Sequence, residues 1–207
     1  MENKQDRQNL KMNANRFLKL VIFLYTGAGL TLLFGPESLF PSFYKLNFMA
    51  SLAFVSVFLM LLPSFIFKTS DESKKRTRSA LESNIGINLL LNGAGGLGLY
   101  KLYLIGFEYD KLTHFVTPFL LTVGIYSFLR VWYELKHIET LIFVATGIFV
   151  AGIGWEMLEY LSDFFFDTQL LGGGSAQIFK DTAFDMVANT LGIITAGIYI
   201  ILKKNKK

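Results

Sequence analysis

Residues 138–160 read IETLIFVATGIFVAGIGWEMLEY, a stretch free of charge from Thr140 to Trp155 and closed by Glu156 and Glu159. At 1.5 Å rise per residue such a run crosses the roughly 30 Å of bilayer hydrocarbon, whereas a soluble helix this long would show a charged face. The pattern recurs along the chain, at about 17–34, 46–67, 85–105, 112–132 and 181–202. The expected fold class is therefore all-α: a polytopic six-helix transmembrane bundle over 17–202, between an N-terminal tail (1–16) and a basic tail (203–207).

Composition agrees. The 207 residues are 52% hydrophobic and include 21 Phe, and the charged 17% lies between the apolar runs. Cysteine is absent, which excludes disulfides, thiolate metal sites and thiol nucleophiles. The net charge of +4 does not point to nucleic acid, because Lys and Arg sit in short blocks flanking the spans. Of the 20 Lys and Arg, only Lys45, Lys101, Lys111 and Lys180 fall outside the loops and tails of one face. That face is expected to be cytoplasmic and to hold both termini. The first span follows a basic segment but is too long for a signal peptide, so an uncleaved anchor in the cell membrane is expected.

The third span is the least regular. Asn84, Asn88 and Asn92 stand at four-residue spacing, followed by Gly93, Gly95, Gly96 and Gly98. Such a helix belongs inside a bundle, with amides bonding to neighbours and glycines allowing close approach; the alternative is a substrate path.

Three helix ends are expected to meet at the non-cytoplasmic face, and all three are acidic. The fourth span opens with Asp110-Lys111-Leu112-Thr113-His114, which puts Asp110 and His114 one turn apart on one face. The fifth ends with Glu156, Glu159 and Asp163, again on one face, and the sixth begins with Asp181 and Asp185, continued a turn deeper by Asn189. Helix N-termini favour Asp110, Asp181 and Asp185, but Glu156 and Glu159 lie toward the negative end of their helix and need a proton, a cationic side chain or a bound cation. Lys111, Lys180 and His114 are the nearby positive groups, outnumbered by the carboxylates. Either some carboxylates are protonated, or a divalent ion sits among them. Asp110, His114, Glu156, Asp181 and Asp185 are the candidate metal ligands, a donor set that suits Mg²⁺, Mn²⁺, Ca²⁺ or Zn²⁺. The competing reading makes the acids plain interfacial groups or helix-locking pairs.

Trp132 and Tyr133 read as interfacial anchors, and His137 as an exposed loop residue. The loop containing Gly172-Gly173-Gly174-Ser175 has no phosphate-binding or dinucleotide signature; it reads as a lid over the acids or as a plain connection.

At Asp110-Lys111-x-x-His114-Phe115, Glu156-x-x-Glu159 and Asp181-x-x-x-Asp185-x-x-x-Asn189-x-x-Gly192 the chain resembles the VanZ-like membrane proteins and the related YjdF-type bacterial inner-membrane proteins. The resemblance covers the C-terminal half. VanZ-like proteins tend to carry Gln where this chain has Glu159 and an Arg before the last motif, so the paired acids look more like the YjdF type. The resemblance implies a bacterial membrane protein linked, on the VanZ side, to glycopeptide tolerance and envelope lipids. It supplies no reaction.

Three functions fit these residues. In the first, a metal held by the five ligands binds the phosphate of an envelope lipid or lipid-linked precursor, or activates a water, with Glu156, Glu159 or Asp163 as catalytic base. The second is a permease in which the same acids relay protons or cations; the only polar line inward runs from Asn189 toward Asn92 and Asn88. In the third, a non-catalytic structural subunit, the acids only fix helix packing. The sequence leaves the oligomeric state undetermined.

Overall fold

The computed structural model describes residues 4–39, 45–166 and 175–205, with side chains at 16–39, 45–165 and 179–204. Every regular element among them is helical. The α-helices are α1 (Lys4–Phe34), α2 (Leu46–Ile66), α3 (Glu72–Gly96), α4 (Tyr109–Trp132), α5 (His137–Phe166) and α6 (Ser175–Asn205), with short 3-10 segments at Glu37–Leu39 and Leu99–Ile105. Stretches of α1, α2, α4, α5 and α6 are long and apolar enough to cross a membrane: Arg16–Phe34, Leu46–Ile66, Tyr109–Trp132, His137–Phe165 and Phe179–Lys204.

The side chains are distributed as hydrocarbon solvent requires. Phe23, Phe34, Ile142, Phe143, Ile194 and Ile198 face outward, while Asn88, Thr122, Thr140, Glu156, Asp185 and Asn189 are buried. In water that arrangement would expose apolar area and desolvate polar groups together; in lipid both choices are favourable.

Two sequence expectations need correction. The expected third span, 85–105, is not one helix: α3 stops at Gly96, Gly98 takes φ +127°, and the chain continues as the 3-10 segment Leu99–Ile105. The glycine at 98 supplies a backbone conformation that side-chain-bearing residues avoid, so the helix cannot run through it. The charged start of α3 also keeps it out of the five apolar helices. Second, most of the expected tail 1–16 is helical, because α1 begins at Lys4. The Gly172–Gly174 stretch lies outside the described residues.

The chain divides into two compact units, 1–90 and 91–207, and α3 runs across the division without a linker signal. In the first unit, Leu18 and Val21 of α1 pack on Met60 of α2, and Ile85, Leu89 and Leu90 of α3 close the cluster. The Tyr25 hydroxyl donates to the Leu89 carbonyl. Buried Glu82 accepts from the Ser64 hydroxyl and meets the Arg78 guanidinium at 3.5 Å, while Arg78 also donates to the Phe67 carbonyl at 2.9 Å. Asp71 caps α3: its Oδ1 accepts from the Ser73 and Lys74 amides at 2.7 and 3.0 Å, which holds its carboxyl below the usual carboxylate range.

The second unit packs α4 chiefly on α6, with α5 against both. Gly192 of α6 lies so close to the Phe115 carbonyl of α4 that no Cβ fits there. Gly152 of α5 likewise admits the Asn189 amide, whose nitrogen would stand 3.1 Å from an added Cβ. These glycines let the backbones approach, as membrane helices require where no hydrophobic force drives them together. Pro118 is buried inside α4 and has no N–H for the carbonyl four residues earlier, that of His114. The Asn stripe of α3 is used locally: Asn88 donates to Asn84 (Oδ1 3.0 Å), and Asn92 accepts from the Tyr100 hydroxyl at 3.1 Å. The Tyr100 ring lies where a side chain at Gly95 would be.

Candidate metal centre

The first turns of α4, the C-terminal half of α5 and the N-terminal half of α6 bring their acids together. Lys111 occupies the middle. Its Nζ donates to Asp110 Oδ2 at 3.1 Å, Asp181 Oδ1 at 2.5 Å and Asp185 Oδ1 at 2.7 Å. A flexible four-carbon stem lets the ammonium reach across from α4 to α6, where it satisfies carboxylates that would otherwise stand near one another.

His114, one turn deeper on α4, is 8% exposed and ringed by carboxylates. Its Nε2 lies 3.6 Å from Asp110 Oδ1 and 3.9 Å from Asp185 Oδ1, and its Nδ1 lies 3.7 Å from Glu156 Oε1. These separations exceed hydrogen-bond length but fall within the range that an ion or water can bridge. Glu156 is 7% exposed, and neither of its oxygens makes a hydrogen bond among the described residues. The Thr182 side chain of α6 stands near it. A buried carboxylate with unfilled oxygens, 3.7 Å from an imidazole, is aimed at a missing positive charge.

Asp110, His114 and Asp185 each offer one ligand atom, all within 4.8 Å of one another. Donors about 2.1 Å from Zn²⁺, Mn²⁺ or Mg²⁺ stand at most roughly 4.2 Å apart, and the imidazole Nε2 already lies inside that limit from Asp110 Oδ1 and Asp185 Oδ1, at 3.6 and 3.9 Å. Ca²⁺, at about 2.3–2.6 Å, tolerates the present spread, but its preference for oxygen is poorly served by an imidazole. The nitrogen donor therefore favours a transition ion.

The sequence-derived residues sort as follows. Asp110, Lys111, His114, Glu156, Asp181 and Asp185 converge. Asp181 meets Lys111 rather than the imidazole group, so its place is beside the ammonium. Glu159 turns along its own helix and accepts from the Trp155 indole N–H at 2.7 Å. Asp163 follows one turn on from Glu159 in α5. Asn189 is buried a turn below Asp185 against Gly152 and supports the α5–α6 contact. His137, expected to be exposed, is half-buried and bonds to the Tyr126 hydroxyl; the i, i+11 return through a tight loop left no sequence signal.

A family model described as "Predicted membrane protein (DUF2238)" matches residues 19–206. No curated protein and no solved structure matches the chain.

Proposed function

The chain belongs to the DUF2238 family of membrane proteins, and from that premise we propose that α4, α5 and α6 hold a divalent metal at one membrane interface and use it to bind the phosphate of an envelope lipid or lipid-linked precursor. Asp110, His114 and Asp185 are the ligands, and Glu156 is the fourth ligand or the base that takes a proton from a bound water. With a metal on Asp185, Lys111 would keep its bond to Asp181 and supply an ammonium for the phosphate. Glu159 and Asp163, beyond Glu156 on α5, are reserve bases on the approach.

The observation that carries this reading is Glu156: buried, unbonded at both oxygens, and beside an imidazole already flanked by two other acids. The resemblance of these motifs to VanZ-like and YjdF-type proteins supports an envelope-lipid substrate. The bias of Lys and Arg supports a cytoplasmic position for both termini and an outward-facing site. That arrangement needs the third segment to cross as well, through the charge-free part of α3 (83–96, about 21 Å) and the 3-10 segment that follows it.

Mn²⁺ titrated into the purified chain, followed by electron paramagnetic resonance, tests the site. One ion bound by the parent and none by Asp185→Asn is the expected result, and Glu156→Gln loses the ion if Glu156 is a ligand and keeps it if Glu156 is the base. A parent that leaves all the Mn²⁺ free, with Zn²⁺ and Ca²⁺ equally unbound by calorimetry, ends the metal reading.

A second reading has its own observation. Lys111 already supplies a cation to three aspartates, which suits a site that exchanges protons or monovalent cations, or one that only locks α4 to α6. Flux in proteoliposomes that vanishes in Glu156→Gln favours exchange; loss of folded protein in the same variant favours the lock.

A further inference from the structure

Two of these helices, α4 and α6, meet again in a second site of opposite charge. A cavity of about 280 Å³ opens between α4 and α6, lined by Val123, Tyr126, Ser127, Tyr199, Ile200, Lys203 and Lys204. Asp110 and Tyr126 are 16 residues apart on α4, and Asp181 and Lys203 are 22 apart on α6. At 1.5 Å per residue these separations are roughly 24 and 33 Å, about one hydrocarbon thickness, so the cavity sits at the interface opposite the acids.

Its polar groups are arranged for an anion. The Lys203 ammonium lies 5.4 Å from the centroid of the Tyr199 ring and 3.3 Å from its hydroxyl, so it is steered to the cavity wall rather than into solution. Lys204 lines the same cavity with no ion pair among the described residues. Arg130 and Lys204 stand near His137, whose ring holds the Tyr126 hydroxyl at the cavity edge. Glu139, the acid of the first turn of α5, is engaged by Lys136 at 3.3 Å. Ser127 adds a hydroxyl, and Val123 and Ile200 form an apolar floor. Tyr199, on the same lining, is 42% exposed, so the cavity opens outward.

We infer that this cavity binds the phosphate headgroup of an anionic phospholipid, with the acyl chains leaving over the apolar floor formed by Val123 and Ile200. Basic pockets between membrane helices at the anionic leaflet recognise lipid phosphates in this way, and the apolar floor selects a lipid over a free phosphate ion.

The test uses the full chain in a neutral detergent and reads the thermal shift produced by dihexanoyl phosphatidylglycerol, dihexanoyl phosphatidylcholine and inorganic phosphate. Phosphatidylglycerol is expected to raise the melting temperature at concentrations where the other two do not. The double variant Lys203→Gln/Lys204→Gln should need about 30-fold more of it, the fold-change for two charges at about 1 kcal/mol each. Ser127→Trp fills the cavity while keeping both lysines, and is expected to lose the shift as well. Both changes are at exposed positions at helix ends, so the fold is retained. An equal shift from phosphatidylcholine or from phosphate alone overturns the inference, as does an unchanged phosphatidylglycerol response in either variant.

Discussion

Gly192→Ala is the substitution that couples packing to chemistry most directly. An alanine methyl at this position would overlap the Phe115 carbonyl oxygen and stand 3.2 Å from the Phe115 carbonyl carbon and 3.3 Å from the Phe119 nitrogen. All three are backbone atoms and cannot rotate away, so α4 and α6 must separate by about 1 Å to regain van der Waals spacing. Overpacking of this kind costs about 1–3 kcal/mol. The same displacement acts on the contacts that bridge these helices: Lys111 to Asp185 is 2.7 Å, and 1 Å more carries it beyond hydrogen-bond length. His114 precedes Phe115, so Asp110, His114 and Asp185 lose their register together. Metal affinity is then expected to fall by about 10–100-fold, as when the groups supporting metal ligands are disturbed. Gly147→Ala is the control, because an added methyl there meets nothing within 4 Å. Thermal melts in detergent and Mn²⁺ titration of the two variants are the assays. A Gly192→Ala protein with the parent's melting temperature and Mn²⁺ affinity would refute the idea that this close approach sets the site.

Removing the ammonium with Lys111→Met leaves Asp181 and buried Asp185 facing one another, a loss of about 3–5 kcal/mol when a buried pair is broken. Added Mn²⁺ or Zn²⁺ should recover most of that stability, and a melt indifferent to metal counts against the shared site. Met60→Ala empties a fully buried position in the first unit and is expected to cost about 2–5 kcal/mol in denaturant titration, without altering metal binding by the second unit. Asp71→Asn probes the α3 cap. Because the carboxyl is held below its usual 3.8, its contribution is complete above that pH and disappears as pH falls through the lowered value. Proteolysis at the start of α3 should therefore distinguish parent from variant at neutral pH, and the two should converge in strong acid.

Much of this architecture is readable from residues alone, for identifiable reasons. Long uncharged runs have one solution in lipid, so α1, α2, α4, α5 and α6 follow from hydropathy. The third helix did not follow, because its polar and glycine content dilutes the apolar signal and Gly98 stops it by backbone geometry. In the site, the four-residue spacing of Asp110 and His114 and of Asp181 and Asp185 was legible as shared faces. Lys111 was harder: it is adjacent to Asp110 and points elsewhere on the helix, and only its long stem brings the charge to three aspartates. Glu159 has a partner that the acidic pattern did not announce: its spacing from Trp155 is also four, and the indole N–H donates to one of its oxygens.

Pro118 gives the metal centre a property that its side chains do not. With no amide hydrogen at that position, the peptide oxygen of His114 is relieved of its usual helical duty, one turn below Asp110. The outermost turn of α4 is thus joined to the remaining membrane-crossing length by a softer joint than an unbroken helix provides. Any small adjustment that a bound ion would ask of Asp110 can be taken up by tilting the first turn, while Phe115 stays seated against Gly192.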